Sequence, residues 1–509
     1  MRDPQLLPPF DTAWLRRQIW RWQAPLWIVV GLVYLAGLNG HWRITSDGAV
    51  YVEAARLLTE GGPTVIDPGM LSRVQPGLGW MLAFAGGPGL AIQGLMLAIA
   101  GLCLWMYHRL IKLLADGPTA SCCTLVLAVA GLFHELSFAL LTEMPFTAGL
   151  LLLLWGHERR VQRRPGRMVS LVMIVGGLAV MATFRSVAAV VAAAYVLAEL
   201  IRLLRSPGRA LGLGLIAVMV GGAAAYWWAS PAMRDDVSIF LAAVWPIDLG
   251  RLSFNASQLI NETLPEAVTG QDVPPPGSWL VTAVVLLIIL SFRQVRLLWL
   301  VLGAAFVLQW LIFTTDSRYV LPLLPLLVFG GWRLLLISCQ WLGPRWGRHW
   351  FRTVLTGVVG ANLVAVVLLT IEQRREDFYA GYKDGDYLPM LGAAEWLTTH
   401  TPEDTAVAME LRDAMVLAVL ARRPVVDPVA AGGWPAGDRG VMIDPGRGQW
   451  PTPAAGRLAQ GPVVWRERDP EADRPWRARW WWRPGAKGYD EAMNQSLPTD
   501  VDPAQGGGR

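Results

Sequence analysis

A succession of long apolar segments between about residue 24 and residue 371 is the feature that most constrains how this chain folds. A helix that crosses a lipid bilayer needs about 20 mainly apolar residues, and about eleven segments come near that length. The pattern therefore predicts an α-helical, polytopic membrane protein. The predicted spans are 24–40, 78–107, 119–137, 143–157, 168–184, 186–202, 210–229, 278–292, 297–313, 319–338 and 353–371.

The loops between these segments differ in their arginine content. Loops with several basic residues alternate with loops that have few, and the 159–167 loop alone contains five arginines. By the positive-inside rule, the alternation predicts a cytoplasmic N-terminus and an outward-facing C-terminal region. We therefore expect a multi-pass protein of the inner (plasma) membrane, with its C-terminal domain periplasmic or extracellular. Because the arginines occupy short loops, the net charge of +5 does not indicate a nucleic-acid partner.

The composition of the chain changes after residue 371. Only 16% of the residues are charged, against about 25% in soluble proteins, and the deficit lies almost entirely before that point. We predict a transmembrane domain over 1–371, a small soluble α/β domain over 372–495 and a disordered tail over 496–509. In the soluble domain, the pattern predicts helices at 391–399 and 412–421. It predicts strands at 405–409, 423–427, 462–465 and 479–483.

Polar residues on the predicted outer side form four groups. Their key members are Asp47 with Tyr51 on the same helical face, Arg73, Glu143, and Arg318 with Tyr319. Ionisable residues at membrane depth are costly and usually face a cavity or a pathway. Arginine binds phosphate oxygens in a bidentate manner, whereas a carboxylate can take a proton from an incoming hydroxyl group. Together these residues suit a lipid substrate that carries a phosphate and a sugar.

Each of these residues also has a purely structural interpretation. Asp47 or Ser46 could cap the helix that begins there, and Glu143 could interact with the dipole of the span that it starts. Arg73 and Arg318 could anchor the ends of apolar segments by snorkelling to the interface, and Arg318 could instead pair with Asp316.

Three further features receive a structural interpretation. His134 and Glu135 lack a third ligand at suitable spacing, so they are predicted to form an interfacial polar cluster rather than a metal site. Arg185 lies at the junction of two spans and is interpreted as an anchor. Asn255 and Asn261 begin Asn-x-Ser/Thr triplets that could accept a glycan, although such triplets arise easily by chance.

Several segments resemble those of the GT-C membrane glycosyltransferases. Ser46–Ala55 and Arg73–Gly77 resemble the first outer loop of that family, and Leu141–Phe146 resembles its second acidic site. Asp316–Pro325 is similar to its Arg-Tyr-x-Leu-Pro span, and residues 393–426 are similar to its soluble domain. The nearest branch comprises bacterial relatives of dolichyl-phosphate-mannose-protein mannosyltransferases and lipid A aminoarabinose transferases. The resemblance extends from about residue 24 to residue 427.

This resemblance implies a GT-C fold and an inverting transfer of one hexosyl or pentosyl unit. The donor would be a polyprenyl-phosphate sugar, and the acceptor would be a lipid, a glycan or a protein on the outer side of the membrane. The residues that it assigns are Asp47 and Glu143 as catalytic carboxylates, Arg73 and Arg318 as phosphate binders, and Tyr51 and Tyr319 as further substrate-binding residues.

The chain departs from the family pattern at two places. Gly48 stands where the family commonly has a second acidic residue, and Val74-Gln75-Pro76-Gly77 replaces a more proline-rich run. We therefore predict no cofactor, since the sequence does not support a metal-dependent mechanism. A transporter or flippase for a lipid-linked sugar is the alternative function, but such proteins commonly carry internal repeats, and no repeat is evident.

Overall fold

The computed structural model describes residues 12–39, 46–66, 68–162, 166–204, 221–222, 234, 249–269, 274–292, 297–312, 317–372, 387–402, 405–409, 414–426, 439–444, 459–467 and 476–482. The chain divides into two compact units. The described residues of 1–41 and 72–375 form the first unit, and those of 42–71 and 376–509 form the second. The segment that carries Asp47 thus groups with the C-terminal region, whereas the sequence assigned it to the transmembrane domain.

Every described secondary-structure element of the first unit is a helix. Its helices are α1 (Thr12–Ala36), α4 (Pro76–Phe84), α5 (Leu90–Leu114), α6 (Gly117–Ala128), α7 (Gly131–Leu136), α8 (Glu143–Val161), α9 (Arg167–Phe184), α10 (Ala188–Leu204), α11 (Leu249–Gln258), α12 (Leu264–Thr269), α13 (Gly277–Ser291), α14 (Leu297–Ile312), α15 (Leu324–Trp341) and α16 (Gly343–Glu372). A π-helical turn (Leu259–Thr263) joins α11 to α12, and a 3-10 helix (Ser317–Leu323) precedes α15. A short helix, α3 (Pro68–Arg73), spans the boundary between the units.

Four described helical segments are long and apolar enough to cross a membrane. They are Leu90–Leu114, Arg167–Phe184, Arg318–Trp341 and Trp346–Ile371. Many large apolar side chains on these and neighbouring helices are exposed, among them Leu102, Val172, Leu290 and Leu368. Apolar faces of this extent suit a lipid environment rather than water.

Two predicted spans are divided in the structure. The 78–107 run comprises α4 and α5, because Gly86, Gly87 and Gly89 adopt positive φ angles between them, and such angles interrupt a helix. The 119–137 run comprises α6 and α7, since Ala130 is extended and Gly131, a residue that weakens a helix interior, follows it. The predicted span 210–229 lies almost wholly outside the described residues, and the tail 496–509 lies entirely outside them.

Glycines let α8 and α9 approach each other at backbone distance. A Cβ atom added to Gly177 would lie 2.6 Å from the carbonyl oxygen of Gly149 and 2.7 Å from the amide nitrogen of Leu153. A Cβ added to Gly149 would lie 2.8 Å from the carbonyl oxygen of Gly177. Small residues at such crossings are typical of helix pairs in membranes, where close van der Waals packing replaces the hydrophobic effect.

A similar approach places the start of α4 against the end of α9. A Cβ on Gly77 would lie 2.7 Å from the carbonyl oxygen of Thr183 and 2.9 Å from the ring of Phe184. Gly77 is the last residue of the Arg73–Gly77 motif, and this contact is the steric reason for its lack of a side chain. Gly77 therefore lies beside the last residues of α9, which Arg185 follows.

The second unit combines helices with a mixed sheet. Its described elements are α2 (Ser46–Thr59), α17 (Tyr387–His400), β1 (Ala406–Met409), α18 (Ala414–Ala421), β2 (Val425–Val426), β3 (Arg439–Asp444), β4 (Ala459–Glu467) and β5 (Trp476–Trp482). The strand order is β2-β1-β3-β5-β4. The first three strands run parallel, and β5 pairs antiparallel with β3 and β4.

Most elements of this unit occur where the sequence predicts them. Each predicted helix and strand has a counterpart of the same type with shifted bounds. β3 is an addition, because it lies in a stretch rich in glycine and proline that gives no strand signal. Helix α2 packs against α18, and Ala49, Val50 and Val52 are buried.

Candidate functional site

Two guanidinium groups converge on one carboxylate and one aromatic ring in the first unit. Arg185 Nη1 donates a hydrogen bond of 2.5 Å to Glu143 Oε1, and Arg318 Nε lies 3.8 Å from the same oxygen. The Cζ atoms of Arg185 and Arg318 lie 4.4 Å and 4.9 Å from the centre of the Tyr319 ring, within range for cation–π interactions. Arg318 Nη2 also donates to the Tyr319 hydroxyl group at 3.1 Å. We call these four residues the arginine cluster.

The cluster is buried at its centre and partly open at its edges. The Glu143 side chain is 2% exposed, whereas those of Arg185 and Arg318 are 18% and 21% exposed. Glu143 Oε2 has no hydrogen-bond partner among the described residues. Among these four side chains, two are cationic and one is anionic.

Local structure accounts for each position in the cluster. Glu143 is the first residue of α8, and Arg185 is the extended residue that ends α9. The glycine crossing holds these two helices together, so the two side chains meet. Arg318 and Tyr319 lie in the 3-10 helix, which packs against α8. Asp316, which the sequence placed beside Arg318, lies outside the described residues.

Arg73 belongs to a motif whose last residue, Gly77, packs against the end of α9. Arg73 is the last residue of α3, and two residues later Gln75 is buried at the start of α4. Gly77, four residues after Arg73, lies close to Thr183 and Phe184 at the end of α9. The role of Arg73 in phosphate binding remains a prediction.

Asp47 and Tyr51 belong to the second unit and lie on α2. Asp47 occupies the first turn of α2 and is exposed, while Tyr51 is 9% exposed. A carboxylate in the first turn of a helix is stabilised by the helix dipole. This position is compatible with both the capping and the catalytic interpretation, and the catalytic role of Asp47 remains a prediction.

A buried ion pair fixes the segment that follows α2. Glu53, which is fully buried, accepts two hydrogen bonds from Arg56 at 2.7 and 2.8 Å and one from the Val65 amide at 2.8 Å. Arg56 also donates to the carbonyl oxygens of Gly61 and Pro63. Burial alone raises the pKa of Glu53, but the hydrogen bonds from Arg56 and Val65 outweigh it and hold the pKa below its ordinary value.

Two residues have contacts that differ from their predicted roles. Arg185, interpreted as an anchor, is the direct partner of Glu143. His134, predicted at an interface, is fully buried; its ring packs edge-on against Tyr34 and Phe138, and its Nε2 lies 3.3 Å from Thr370 Oγ1. His134 therefore connects α7 with α1 and α16 as a core residue. The sequence signal for Arg185 was only its position at the end of an apolar run.

Asn255 is also accounted for by packing. Its side chain is 7% exposed, and its Nδ2 donates to the carbonyl oxygen of Leu311 at 2.8 Å. A buried, hydrogen-bonded amide is a poor glycan acceptor. Asn261 accepts a hydrogen bond from Trp279 Nε1 at 2.8 Å and is only partly exposed.

The arginine cluster does not suit a divalent cation. Within the residues that the structure describes, no group of three or more His, Cys, Asp or Glu side chains could hold a metal ion. In the cluster, a cation would meet one carboxylate with two guanidinium groups beside it. The same arrangement suits a phosphate, because guanidinium groups donate paired hydrogen bonds to phosphate oxygens.

The fold has counterparts among solved structures. ArnT from Cupriavidus metallidurans in the apo state is 13% identical, with 90% of this chain and 97% of that chain covered and a TM-score of 0.57. The same protein bound to undecaprenyl phosphate is 12% identical, covers 90% and 98% of the two chains, and has a TM-score of 0.54. The apo oligosaccharyltransferase of Archaeoglobus fulgidus is 11% identical, covers 81% of this chain and 65% of that chain, and has a TM-score of 0.51. No family model and no curated protein matches the sequence.

These structures define the class of the fold. ArnT and the oligosaccharyltransferase are both GT-C enzymes, and the likeness spans nearly the whole of this chain in the first case. The chain therefore has the GT-C membrane fold, as the sequence resemblance implied. ArnT is a lipid A aminoarabinose transferase, which is one of the two branches to which that resemblance pointed.

Proposed function

We propose that this protein transfers one monosaccharide from a polyprenyl-phosphate-linked donor to an acceptor on the outer side of the membrane. The observation that carries the proposal is the arginine cluster: a partly open pair of guanidinium groups in a GT-C fold. Such a pair suits the phosphate of a lipid-linked sugar. The likeness to ArnT bound to undecaprenyl phosphate supports a ligand of this class.

In the proposed reaction, Asp47 takes the proton of the acceptor hydroxyl group as that oxygen attacks the anomeric carbon of the sugar. The bond between the anomeric carbon and the phosphate oxygen breaks, and the lipid phosphate leaves as an anion. Arg318 and Arg73 stabilise the negative charge that develops on the leaving phosphate. Attack from the side opposite the leaving group inverts the anomeric configuration.

The reaction can be tested with purified full-length protein in lipid vesicles. A panel of radiolabelled polyprenyl-phosphate sugars serves as donors, and envelope lipids and glycans from a strain that lacks the gene serve as acceptors. Mass spectrometry of that strain's envelope identifies the missing hexose, pentose or uronic acid. We expect label in one acceptor fraction. Uptake of labelled donor into vesicles without any glycosyl transfer would instead favour a transporter or flippase.

A pair of variants tests Asp47. Asp47→Asn is expected to abolish transfer while the protein still folds, because asparagine retains the capping ability of aspartate but cannot act as a base. The matched control is Asp116→Asn at the start of α6, where Asp116 accepts a hydrogen bond of 2.8 Å from the Thr119 amide. That control should keep full activity. Retained transfer in Asp47→Asn would remove Asp47 from the reaction.

A further inference from the structure

We infer that Glu143 is a positioning residue: its buried carboxylate holds Arg185 and Arg318 side by side, so that both guanidinium groups bind the phosphate of the donor. The inference rests on the proposed function and gives Glu143 a role different from the catalytic one that the sequence predicts. It also adds Arg185 to the phosphate-binding residues.

Arg185 and Arg318 share one oxygen of the Glu143 carboxylate. Both arginines approach Oε1 of Glu143, at 2.5 Å from Arg185 and 3.8 Å from Arg318. The side chain is 2% exposed, and Oε2 is itself buried. A general base must be within hydrogen-bond reach of the hydroxyl group that it deprotonates. A carboxylate enclosed behind two guanidinium groups is better placed to hold them than to receive an acceptor.

Arg185 and Arg318 are two like charges that are held close together. Arg185 and Arg318 both lie within 4.9 Å of the centre of one tyrosine ring. Two cations this near to each other repel unless an anion lies between them. Glu143 supplies that anion, and the face of Tyr319 adds a cation–π interaction with each arginine. The side chains of Arg185 and Arg318 remain 18% and 21% exposed, so each is partly open to solvent.

The helices that carry Glu143, Arg185 and Arg318 hold these residues firmly in place. Glu143 and Arg185 come from the adjoining ends of α8 and α9, whose spacing is set by the contact between Gly149 and Gly177. Arg318 comes from the 3-10 helix that packs on α8. A binding group whose position is fixed before the ligand arrives loses less entropy on binding. The phosphate subsite is therefore preorganised, with Glu143 at its base.

Direct binding tests the inference apart from catalysis. The probe is undecaprenyl phosphate, titrated into full-length protein in nanodiscs and followed by native mass spectrometry. We expect Arg185→Ala and Arg318→Ala each to weaken binding by about 10- to 100-fold, the range for a lost hydrogen bond to a charged group. Arg185→Lys should fall between Arg185→Ala and wild type, because lysine keeps the charge but not the paired geometry. Arg109→Ala is the matched control, since Arg109 also lies over an aromatic ring, that of Trp105 at 5.6 Å, outside the cluster.

Glu143→Gln tests the positioning role. We expect weaker binding of undecaprenyl phosphate and a raised KM for the donor, with kcat and the shape of the pH–rate profile little changed. The double variant Glu143→Gln/Arg185→Ala should weaken binding by less than the product of the two single effects, because Glu143 acts partly through Arg185 and partly through Arg318. If Glu143→Gln does not fold, Arg185→Ala and Arg185→Lys test the same pair with the carboxylate retained.

The outcomes separate the two proposals. Wild-type protein that neither binds undecaprenyl phosphate nor transfers sugar contradicts the proposed function. Wild-type protein that does both, with Arg185→Ala indistinguishable from it, contradicts only the inference. Loss of the acidic limb of the pH–rate profile in Glu143→Gln, with an unchanged donor KM, would make Glu143 a catalytic base and overturn its positioning role.

Discussion

Helix α8 has a buried carboxylate with cationic neighbours at each of its ends. The two carboxylates differ in which of their oxygens the neighbours approach. At the start of the helix, Glu143 faces Arg185 and Arg318. At the other end, Glu199 of α10 forms ion pairs with Arg160 and with Arg202, and its Oε1 lies 3.2 Å from His157 Nδ1. The side chains of Glu143 and Glu199 are almost equally buried, at 2% and 1% exposure.

The difference lies in the oxygens. Glu199 Oε2 accepts hydrogen bonds from Arg202 Nε and Nη2 at 3.0 and 2.8 Å, and Oε1 has Arg160 and His157 beside it. Among the described residues, both oxygens of Glu199 therefore lie within ion-pair distance of an arginine, whereas both arginine partners of Glu143 approach Oε1. Glu199 ties α8 to α10. We place the ligand at the Glu143 end, because its two arginines converge on one oxygen and so lie side by side, as paired binding of a phosphate requires.

The largest effect is expected from Glu199→Gln. Removing this charge leaves the buried Arg160 without its counter-ion, and breaking a buried ion pair from one side costs about 3–5 kcal/mol. The thermal unfolding midpoint in detergent should fall accordingly, while the donor KM of the remaining folded protein stays unchanged. A changed donor KM with normal stability would remove the distinction between the two ends of α8.

A smaller loss is expected from Gly177→Ala. The added methyl group would lie 2.6 Å from a backbone oxygen, and overpacking of this kind costs about 1–3 kcal/mol. Because α8 and α9 carry Glu143 and Arg185 at their adjoining ends, donor binding should weaken as well. Gly176→Ala is the matched control, since its nearest neighbour would be Leu152 Cδ2 at 3.9 Å. Equal effects of the two substitutions would show that the glycine contact does not set the spacing.

The third prediction concerns Glu53, a saturated carboxylate in the second unit. Because its folded pKa is lowered, it contributes stability above the ordinary carboxyl pKa, and that contribution is lost as the pH falls through the lowered folded pKa. Glu53→Gln should therefore destabilise the protein by about 1–3 kcal/mol at neutral pH and progressively less in acid.

Unfolding midpoints measured from neutral to acidic pH check the prediction for Glu53. Glu60→Gln is the control, because Glu60 is half exposed and lies 3.7 Å from the exposed Arg422. A constant difference between wild type and Glu53→Gln at every pH would mean that the charge of Glu53 is not what stabilises the 60–66 segment.

The smallest change in stability is expected from Glu143→Gln. Its arginine partners are partly exposed and can be hydrated, so the substitution should cost about 1 kcal/mol or less while donor binding weakens. Stability can be followed by the same unfolding midpoint as for Glu199→Gln. A loss as large as that of Glu199→Gln would mean that the two carboxylates serve the same structural purpose.

The fold was largely accessible from the sequence because its signals are local. Local patterns predict elements without reference to the rest of the chain. The patterns are the apolar segments of bilayer length, the glycine-rich stretch at 86–89 and the strand patterns of the second unit. The division between α6 and α7 has a weaker signal, because only Gly131 marks it and a single glycine costs a helix about 1 kcal/mol relative to alanine. The grouping of residues 46–71 with the C-terminal unit depends on packing of α2 against α18, which no local pattern encodes.

The candidate site was only partly accessible for a related reason. Glu143, Arg318 and Tyr319 lie in segments with a recognisable family pattern, and the structure brings them together. Arg185 lies in no such pattern and looks like any arginine at the end of an apolar run. Only the antiparallel contact of α8 with α9 reveals that it faces Glu143. Pairing between distant helices is a tertiary property, so it could not be read from spacing.

The glycine contact between α8 and α9 also has a mechanical consequence. Helix α8 is fastened to α10 through Glu199 at one end and to α9 at Gly149, which lies six residues, or about 9 Å, from Glu143. So short a stretch of helix bends little, and it acts as a rigid arm on which Glu143 and Arg185 keep a constant spacing. The 3-10 helix that carries Arg318 packs against the same arm, and its Val320, Leu321 and Leu323 are fully buried. We therefore expect donors of different size to be accommodated around a phosphate subsite whose geometry stays fixed.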